Sequence, residues 1–206
     1  MTNFNHSSLS DLPELSYPHK IIAGIDEVGR GCLFGPVVAA AVILPLDILP
    51  QLLTAKVNDS KQLSPQKRAK LAVLINQLAL DCKIGFATVD EIDNINILKA
   101  TLLAMKRAIY KLKIPPELCL IDGNQKIPDL GMNQETIIKG DQRSLLIASA
   151  SIIAKVWRDD LIIRLGKKYP EYDLANNKGY GTKKHLLGIQ QYGLTPLHRK
   201  SFCASQ

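Results

Sequence analysis

Two apolar segments joined by a glycine-rich turn constrain this chain more than any other part of it. They lie in residues 21–44, IIAGIDEVGRGCLFGPVVAAAVIL. The first segment ends in two adjacent carboxylates, Asp26 and Glu27, and the second begins at Val37. Because the link is short and rich in glycine, the pattern predicts two neighbouring antiparallel strands. Buried charges are costly unless they are paired or bound to metal, so we expect an electropositive group beside the two acids.

Strand and helix patterns alternate along the rest of the chain. Strands are predicted over residues 20–25, 37–44, 83–89, 118–121 and 135–139. A helix is predicted after Ser64-Pro65, a favourable helix start, and others over residues 98–112, 142–168 and 182–192. Residues 1–19 are expected to be a flexible tail. Together these elements predict an α/β fold in which helices flank a mixed sheet.

Composition limits the class of protein and its partners. The 206 residues carry a net charge of +7, which favours a polyanionic partner, most often nucleic acid, with an anionic membrane surface as the alternative. The four cysteines are scattered without a CxxC pair, which suggests reduced thiols. No apolar run approaches the roughly 18 residues of a membrane span, and the polar start of the chain is unlike a signal peptide. We therefore expect a cytoplasmic protein.

Four acidic residues lie at or just after predicted strand ends: Asp26, Glu27, Asp122 and Asp141. Sites of open α/β sheets form where strand ends and loops meet, so these side chains are expected to lie together. Gathered carboxylates repel unless a cation neutralises them, and oxygen ligands without Cys or His suit Mg²⁺ or Mn²⁺. Two such ions about 3.5–4 Å apart can activate water against a phosphodiester. The pattern indicates a metal-dependent nuclease or phosphoryl-transfer enzyme.

Structural explanations exist for the same residues. Asp141 stands at a favourable helix N-cap position, and Asp122 begins an ordinary DGN turn sequence. The adjacent pair Asp26 and Glu27 is harder to explain, because strand alternation points one of the two inward. The residues alone leave metal catalysis and structural roles equally open. A dinucleotide site at the glycines is disfavoured, since Pro36 and a strand pattern follow where that motif needs a helix.

Six segments of the chain resemble, in the same order, the motifs of bacterial ribonuclease HII. The segments are DEVGRG at residues 26–31, DSKQL at 59–63, IDGN at 121–124, KGD at 139–141, SASIIAKVWRD at 149–159 and NKGYGT at 177–182. The resemblance spans about residues 20–202. One departure is Cys32, where we expect proline after GRG. It changes one position in a turn and leaves the acidic motifs intact.

The resemblance implies a ribonuclease H-like fold, with residues 20–206 as a single catalytic domain that has a small helical C-terminal extension. It implies an endoribonuclease that hydrolyses the RNA strand of RNA–DNA hybrids and cuts on the 5′ side of single ribonucleotides embedded in duplex DNA. Such a cut leaves 3′-hydroxyl and 5′-phosphate ends and serves ribonucleotide removal in DNA replication and repair. The implied cofactor is Mn²⁺ or Mg²⁺, with two ions in catalysis. We expect a monomer that binds these hybrids and duplexes and no membrane.

The resemblance also implies roles for individual residues. The four acids match the family's catalytic, metal-binding carboxylates. The turn Gly29-Arg30-Gly31 matches one that reads the ribose 2′-hydroxyl through its backbone, the group that distinguishes RNA from DNA. Tyr180 matches a tyrosine that packs on the neighbouring deoxyribose and helps to recognise the RNA–DNA junction. Without the family, Tyr180 is better explained as a buried loop tyrosine.

Further positions concern the nucleic-acid backbone. Ser60 and Lys61 match a phosphate-contacting pair of the family, although Lys61 alone would be explained as a solvated surface residue. The small residues of the helix over residues 142–168 predict close packing on the sheet, which brings Lys155, Arg158 and Asp159 towards the substrate side. Asp159 either joins the acids or pairs with a basic residue. A basic C-terminal set either holds duplex backbone or is simply solvated: Lys183, Lys184, His185, His198, Arg199 and Lys200.

Two alternatives to this function stay open. One is a ribonuclease HIII-like preference for long hybrids, which the GRG turn and Tyr180 disfavour. The other is a basic nucleic-acid-binding module whose acids are only structural. Cleavage of a duplex with one embedded ribonucleotide tests the first alternative, and dependence on Mg²⁺ tests the second.

Overall fold

The structure is a computed structural model that describes residues 9–203 of the chain. Five strands form one sheet: β1 Ile22–Val28, β2 Val37–Ile43, β3 Asp81–Ala87, β4 Leu118–Asp122 and β5 Gln134–Ile137. Their order is β3-β2-β1-β4-β5. β2 runs antiparallel to both β1 and β3, whereas β1, β4 and β5 are parallel. The predicted mixed sheet and the antiparallel first pair are confirmed.

Helices cover both faces of the sheet. The α-helices of the described residues are α1 Leu49–Thr54, α2 Pro65–Leu78, α3 Val89–Tyr110, α4 Leu145–Gly166, α5 Leu174–Asn177, α6 Lys183–Tyr192 and α7 Lys200–Cys203. α4 and α2 lie on one face, and α3 lies on the other. In β2, Ala40 and Val42 belong to the core beside α4, whereas Ala39 and Ala41 belong to the core beside α3. This two-sided burial explains why β2 is apolar throughout.

Two glycines let the long helices approach the sheet closely. A Cβ atom on Gly24 of β1 would lie 2.2 Å from the backbone carbonyl carbon of Leu146 in α4. A Cβ atom on Gly85 of β3 would lie 2.1 Å from the carbonyl oxygen of Ala104 in α3. The small residues predicted to pack on the sheet are buried: Ala148, Ser151 and Ala154.

Helix α3 begins at Val89, well before the start predicted at residue 98. The side chain of Thr88 accepts a hydrogen bond from the Glu91 N–H at 3.2 Å, and Glu91 Oε2 accepts one from the Thr88 N–H at 2.9 Å. The helix kinks at Asn96, where φ is +68°. Asn96 Oδ1 accepts a hydrogen bond from the Leu98 N–H at 3.0 Å and so restarts the helix. The apolar spacing therefore predicted only the part after the kink.

Part of the expected N-terminal tail is structured. Residues 1–8 lie outside the described residues, but Leu9–Asp11 and Pro13–Leu15 form short 3₁₀ helices. Leu12 joins the core beside α4. The buried Glu14 accepts a hydrogen bond through Oε1 from the Leu145 N–H at the start of α4, at 2.8 Å. One leucine and one helix-capping carboxylate hold this polar segment, and neither makes a repeating pattern in the sequence.

The C-terminal region adds a small separate core. Residues 169–181, between the predicted helices over 142–168 and 182–192, contain a 3₁₀ helix, Pro170–Tyr172, and the short helix α5. Phe34, Tyr172 and Leu174 pack there with Ile162 of α4. In the part of the chain that the structure describes, no helix is long and apolar enough to cross a membrane.

Candidate active site

The strand order brings three of the four acids together. β1 and β4 are parallel neighbours with Ile25 opposite Ile121, so Asp26 and Asp122 follow at the same level of the sheet. Glu27 is the next residue of β1. One oxygen atom from each of the three carboxylates lies within 4.8 Å of the other two. The predicted convergence of strand ends is found for these residues.

Asp141 reaches the cluster from a separate turn. After β5, Gly140–Gln142 forms a 3₁₀ helix whose first N–H donates to Asp122 Oδ1 at 2.7 Å. Asp141 is buried and close enough to Asp122 for the two charges to repel, although it lies outside the group of three. It does not cap α4, as the structural explanation had it. Ser144 does so instead, with Oγ accepting from the Ile147 N–H at 3.3 Å.

The acids are costly to bury together. Asp26 is 3% exposed, and burial, followed by the charges of Glu27 and Asp122, raises its pKa well above the ordinary value. Burial also raises the pKa of Glu27, while the positive charge of Arg30 opposes that rise. Carboxylates in this state are unfavourable unless a cation shares them or a proton neutralises them.

Two side-chain cations lie beside the acids, both near the surface. Arg30 Nη1 is 3.3 Å from Glu27 Oε1, and Lys61 Nζ is 3.4 Å from Asp141 Oδ2. Burial and the charge of Asp122 raise the pKa of Asp141, and Lys61 opposes the rise. Among the described residues no ion pair joins Asp26 to a cation. An oxygen-only donor set whose most buried carboxylate, Asp26, has no ion-pair partner in the described part of the chain fits a divalent cation.

A cleft of about 390 Å³ opens beside the acids. Its lining includes every residue that the resemblance gave as substrate-binding: Gly29, Arg30, Gly31, Ser60, Lys61 and Tyr180. The other residues of the lining are Glu27, Val28, Ser151 and Lys155. Four distant parts of the chain therefore meet at one surface.

The turn of residues 29–31 is held from inside by a buried arginine. The guanidinium of Arg199 donates to three carbonyl oxygens, of Gly29 at 2.7 Å, Arg30 at 2.8 Å and Gly35 at 2.9 Å. Because the C=O and N–H of a trans peptide point in opposite directions, the N–H groups of Arg30 and Gly31 point away from Arg199. Neither N–H has a hydrogen-bond partner among residues 9–203. The turn thus presents two free backbone donors.

The two glycines of this turn differ in their surroundings. Gly29 has φ of +89°, and a Cβ atom there would lie 2.2 Å from Arg158 Nε. At Gly31 a Cβ atom would have no heavy atom within 4 Å among the described residues. Gly29 is therefore required by the fold, whereas Gly31 leaves open space in the cleft.

The segment of residues 59–61 supplies part of the cleft wall. Asp59 Oδ1 accepts a hydrogen bond from the Lys61 N–H at 2.9 Å, and the buried Ser60 Oγ lies 2.9 Å from Ser151 Oγ of α4. Burial lowers the pKa of Lys61, but the charges of Asp141 and Asp59 raise it by more. Lys61 presents a charged amine to the cleft, while Ser60 ties the segment to α4.

Tyr180 is an exposed residue of the cleft and not a buried loop tyrosine. Tyr180 is 41% exposed, and Lys155 Nζ lies 5.9 Å from the centroid of the tyrosine ring. Lys155 Nζ also pairs with Asp159 Oδ1 at 2.8 Å, and Arg68 Nη2 lies 3.9 Å from Asp159 Oδ2. Asp159 therefore pairs with basic residues and does not join the acids.

Three members of the basic C-terminal set are interior residues. His185, His198 and Arg199 are at most 1% exposed, so both alternatives, contact with duplex backbone and a solvated surface, are wrong for these three residues. Only the lysines of the set are exposed: Lys183, Lys184 and Lys200. Basic side chains are expected at the protein surface, but each of the three buried members donates or accepts hydrogen bonds inside the fold.

Arg158 is likewise buried and does not face the substrate side. Its guanidinium donates to the carbonyl oxygens of Phe34 at 2.9 Å, Pro36 at 3.1 Å and Lys178 at 2.8 Å. The amino-acid sequence does not reveal this role of Arg158 and Arg199, because carbonyl acceptors are present at every residue.

Several known proteins are similar to this chain over most of its length. The family model described as Ribonuclease HII matches residues 23–205. A Ribonuclease HII of Nostoc sp. (strain PCC 7120 / SAG 25.82 / UTEX 2576) is 63% identical over 194 residues, covering 94% of this chain and 86% of that protein. Another, of Synechocystis sp. (strain ATCC 27184 / PCC 6803 / Kazusa), is 54% identical over 182 residues, covering 88% and 96%.

Solved structures agree on the fold. The crystal structure of the ribonuclease H2 from Pyrococcus horikoshii OT3 matches with a TM-score of 0.74 at 28% sequence identity, covering 88% of this chain and 93% of that one. The predicted ribonuclease H-like fold is confirmed.

Proposed function

The chain belongs to the ribonuclease HII family and is thus a ribonuclease H, an endonuclease that hydrolyses RNA in RNA–DNA, and we propose its specific reaction on that premise. It cuts the RNA strand of hybrids and the 5′ side of single ribonucleotides embedded in duplex DNA, leaving 3′-hydroxyl and 5′-phosphate ends. The observation that supports this most is a cleft in which an acidic cluster adjoins two free backbone N–H donors.

The acids are the proposed catalytic and metal-binding residues. Asp26, Glu27, Asp122 and Asp141 supply oxygen donors from two strands and a turn, a set suited to Mn²⁺ or Mg²⁺. When bound, two such ions would supply positive charge that offsets the carboxylates and the charge developing on the phosphodiester. The hydrogen bond from the turn N–H to Asp122 Oδ1 keeps the Asp141 turn beside β4.

The turn of residues 29–31 is the proposed ribose reader. Its N–H groups at Arg30 and Gly31 are free to donate to a 2′-hydroxyl, the group that a deoxyribose lacks. The empty space at Gly31 lets the sugar approach the backbone. Deoxyribonucleotides leave these donors unpaired, which disfavours their cleavage.

The remaining cleft residues are proposed to hold the flanking nucleotides. The exposed ring of Tyr180 offers a flat surface for a deoxyribose next to the ribonucleotide. Lys61 faces the same cleft and supplies a charge to a phosphate, with Ser60 fixing the segment that carries it. A monomer in the cytoplasm, acting in ribonucleotide removal during DNA replication and repair, is part of the same proposal.

The experiment is cleavage of a duplex DNA that carries one ribonucleotide, with Mn²⁺, with Mg²⁺ and with neither ion. We expect metal-dependent cutting at a single position, 5′ of the ribonucleotide, and none in an all-DNA duplex of the same sequence. Cleavage of long hybrids alone would indicate a ribonuclease HIII-like specificity. Binding of the duplex without cleavage in either metal would indicate a binding module.

A further inference from the structure

Two buried histidines form a hydrogen-bonded chain that ends at the backbone of Tyr180. The Thr195 N–H donates to His198 Nδ1 at 2.9 Å, and the Nε2 atoms of His198 and His185 are 3.1 Å apart. His185 Nδ1 lies 2.9 Å from the carbonyl oxygen of Tyr180. No part of the proposed reaction uses these side chains.

The contacts fix the direction of every hydrogen bond in the chain. His198 Nδ1 accepts from Thr195, so in the neutral ring the proton is on Nε2 and is donated to His185 Nε2. His185 must then carry its own proton on Nδ1 and donate it to the Tyr180 carbonyl. All polar atoms of both rings are satisfied with both histidines neutral, which agrees with the burial that lowers their pKa values.

The surroundings of the two rings leave them little freedom. Phe34 packs edge-on against His198 with ring centroids 5.0 Å apart, and Tyr172 packs against the same ring at 4.8 Å. Phe34 also pairs with His198 through an isolated β-bridge. The chain of hydrogen bonds is therefore rigid, and it starts beside the residue that holds the ribose-reading turn.

That neighbour is Arg199, which binds the carbonyls of Gly29 and Arg30. Two consecutive residues, His198 and Arg199, are thus connected by hydrogen bonds to Tyr180 and to the turn of residues 29–31. Arg199 holds the turn that carries the free N–H donors, and His198 holds Tyr180 through His185. One short segment therefore contacts the backbone of the turn directly and the backbone of Tyr180 through His185.

We propose that His198 is a positioning residue that, through His185, places Tyr180 relative to the turn of residues 29–31 and so sets the preference for a ribonucleotide–deoxyribonucleotide junction. This inference rests on the proposed function. A single embedded ribonucleotide needs the turn and the ring together, whereas the interior of a long hybrid presents no deoxyribose to the ring. The measured quantity is the preference ratio, which is kcat/KM for duplex DNA with one embedded ribonucleotide divided by kcat/KM for a long hybrid.

The test compares two amides of similar polarity at position 198. In His198→Gln the side-chain amide extends to the Nε2 position and can donate to His185, whereas in His198→Asn it extends only to the Nδ1 position and meets Thr195. We expect His198→Asn to lower the preference ratio about tenfold and His198→Gln to keep it within about twofold of the wild type. A role confined to capping Thr195 gives the reverse order and overturns the proposal.

A second comparison shows whether the effect passes through Tyr180. In a Tyr180→Ala background, His198→Asn should change the preference ratio no further, because the residue that it places has lost its ring. Equal further loss in that background contradicts the proposal. Leu52→Ala, a buried change in the core beside α4, serves as the control for lost stability and should leave the ratio unchanged.

Two outcomes separate this inference from the proposed function. If the wild type cuts long hybrids but not a single embedded ribonucleotide, both are wrong. If it shows the preference and His198→Asn keeps it, only the positioning role is wrong. Should His198→Asn fail to fold, His185→Asn keeps a donor near the Tyr180 carbonyl and His185→Leu does not, so only His185→Leu should lower the ratio.

Discussion

Asp26 shows most clearly how single residues make this site. Its side chain is buried, accepts a hydrogen bond from the Glu27 N–H at 2.7 Å, and repels the carboxylates of Glu27 and Asp122. A residue of this kind costs stability unless a cation is bound. The proposed metal site is therefore gained at the expense of the stability of the metal-free protein.

Asp122→Asn tests the acidic cluster directly. The amide keeps the size of the side chain and an acceptor for the Gly140 N–H, but it removes a charge from the group of three. We expect kcat in Mg²⁺ to fall more than about 100-fold, while the affinity for hybrid stays close to that of the wild type. Asp47→Asn, at an exposed position outside the cleft, should cleave normally. Retained turnover in Asp122→Asn would exclude the four-acid site.

Gly31→Ala tests the ribose-reading turn. The added methyl group meets no atom of the described protein within 4 Å, so the fold should tolerate it, but it fills part of the open cleft beside the free N–H groups. We expect kcat/KM for an embedded ribonucleotide to fall about 100-fold with little change in melting temperature. Gly29→Ala should instead unfold more easily, because it needs a positive φ and meets Arg158. Normal cutting by Gly31→Ala would show that the sugar does not approach there.

At the scale of elements, the site depends on how closely α4 packs on β1. Ser151 of α4 bonds to Ser60 of the cleft wall, and Asp26 lies on β1. The distance between the two elements is set at Gly24, which has no room for a Cβ atom. The packing of α4 on β1 therefore links the acids to the cleft wall formed by residues 59–61.

Gly24→Ala tests this link. The methyl group would overlap the backbone of Leu146, so α4 must move or the protein must unfold. We expect the free energy of unfolding to fall by roughly 1–3 kcal/mol or more, measured by urea denaturation. Gly31→Ala is the matched control and should change it by less than about 0.5 kcal/mol. Equal stabilities of the two variants would contradict the close approach of helix and strand.

At the scale of the whole molecule, the net charge and the charge of the buried cluster have opposite signs. The net charge of +7 suits a nucleic-acid partner, yet negative charge is concentrated in the buried cluster. Burial and repulsion raise the pKa values of Asp26, Glu27 and Asp141. At these three carboxyls the folded, metal-free protein thus binds protons more tightly than the unfolded chain does.

Metal removal should therefore make stability depend on pH. For a carboxyl with a raised folded pKa, stability is present below the unfolded value and is lost as pH rises through the folded value. With EDTA, we expect the wild type to lose stability relative to Asp26→Asn as pH rises above the ordinary Asp value of 3.8, because the carboxyls with lowered pKa values, such as Glu91, are common to both proteins. Near neutral pH, Asp26→Asn should be the more stable protein by roughly 1–3 kcal/mol. A stability difference between the two proteins that does not change with pH would contradict the raised pKa of Asp26.

The sequence by itself determined the mixed sheet, the Ser64 cap of α2 and the segments that carry the acids, because periodicity and turn residues are local properties. It also led to the family through six motifs. It could not show that Asp159 pairs with Lys155, or that His198 and Arg199 are buried. Their partners are carbonyls and side chains from distant segments, and only the tertiary structure decides which of these meet. The turn of residues 29–31 holds its N–H donors outward because Arg199, near the other end of the chain, binds its carbonyls.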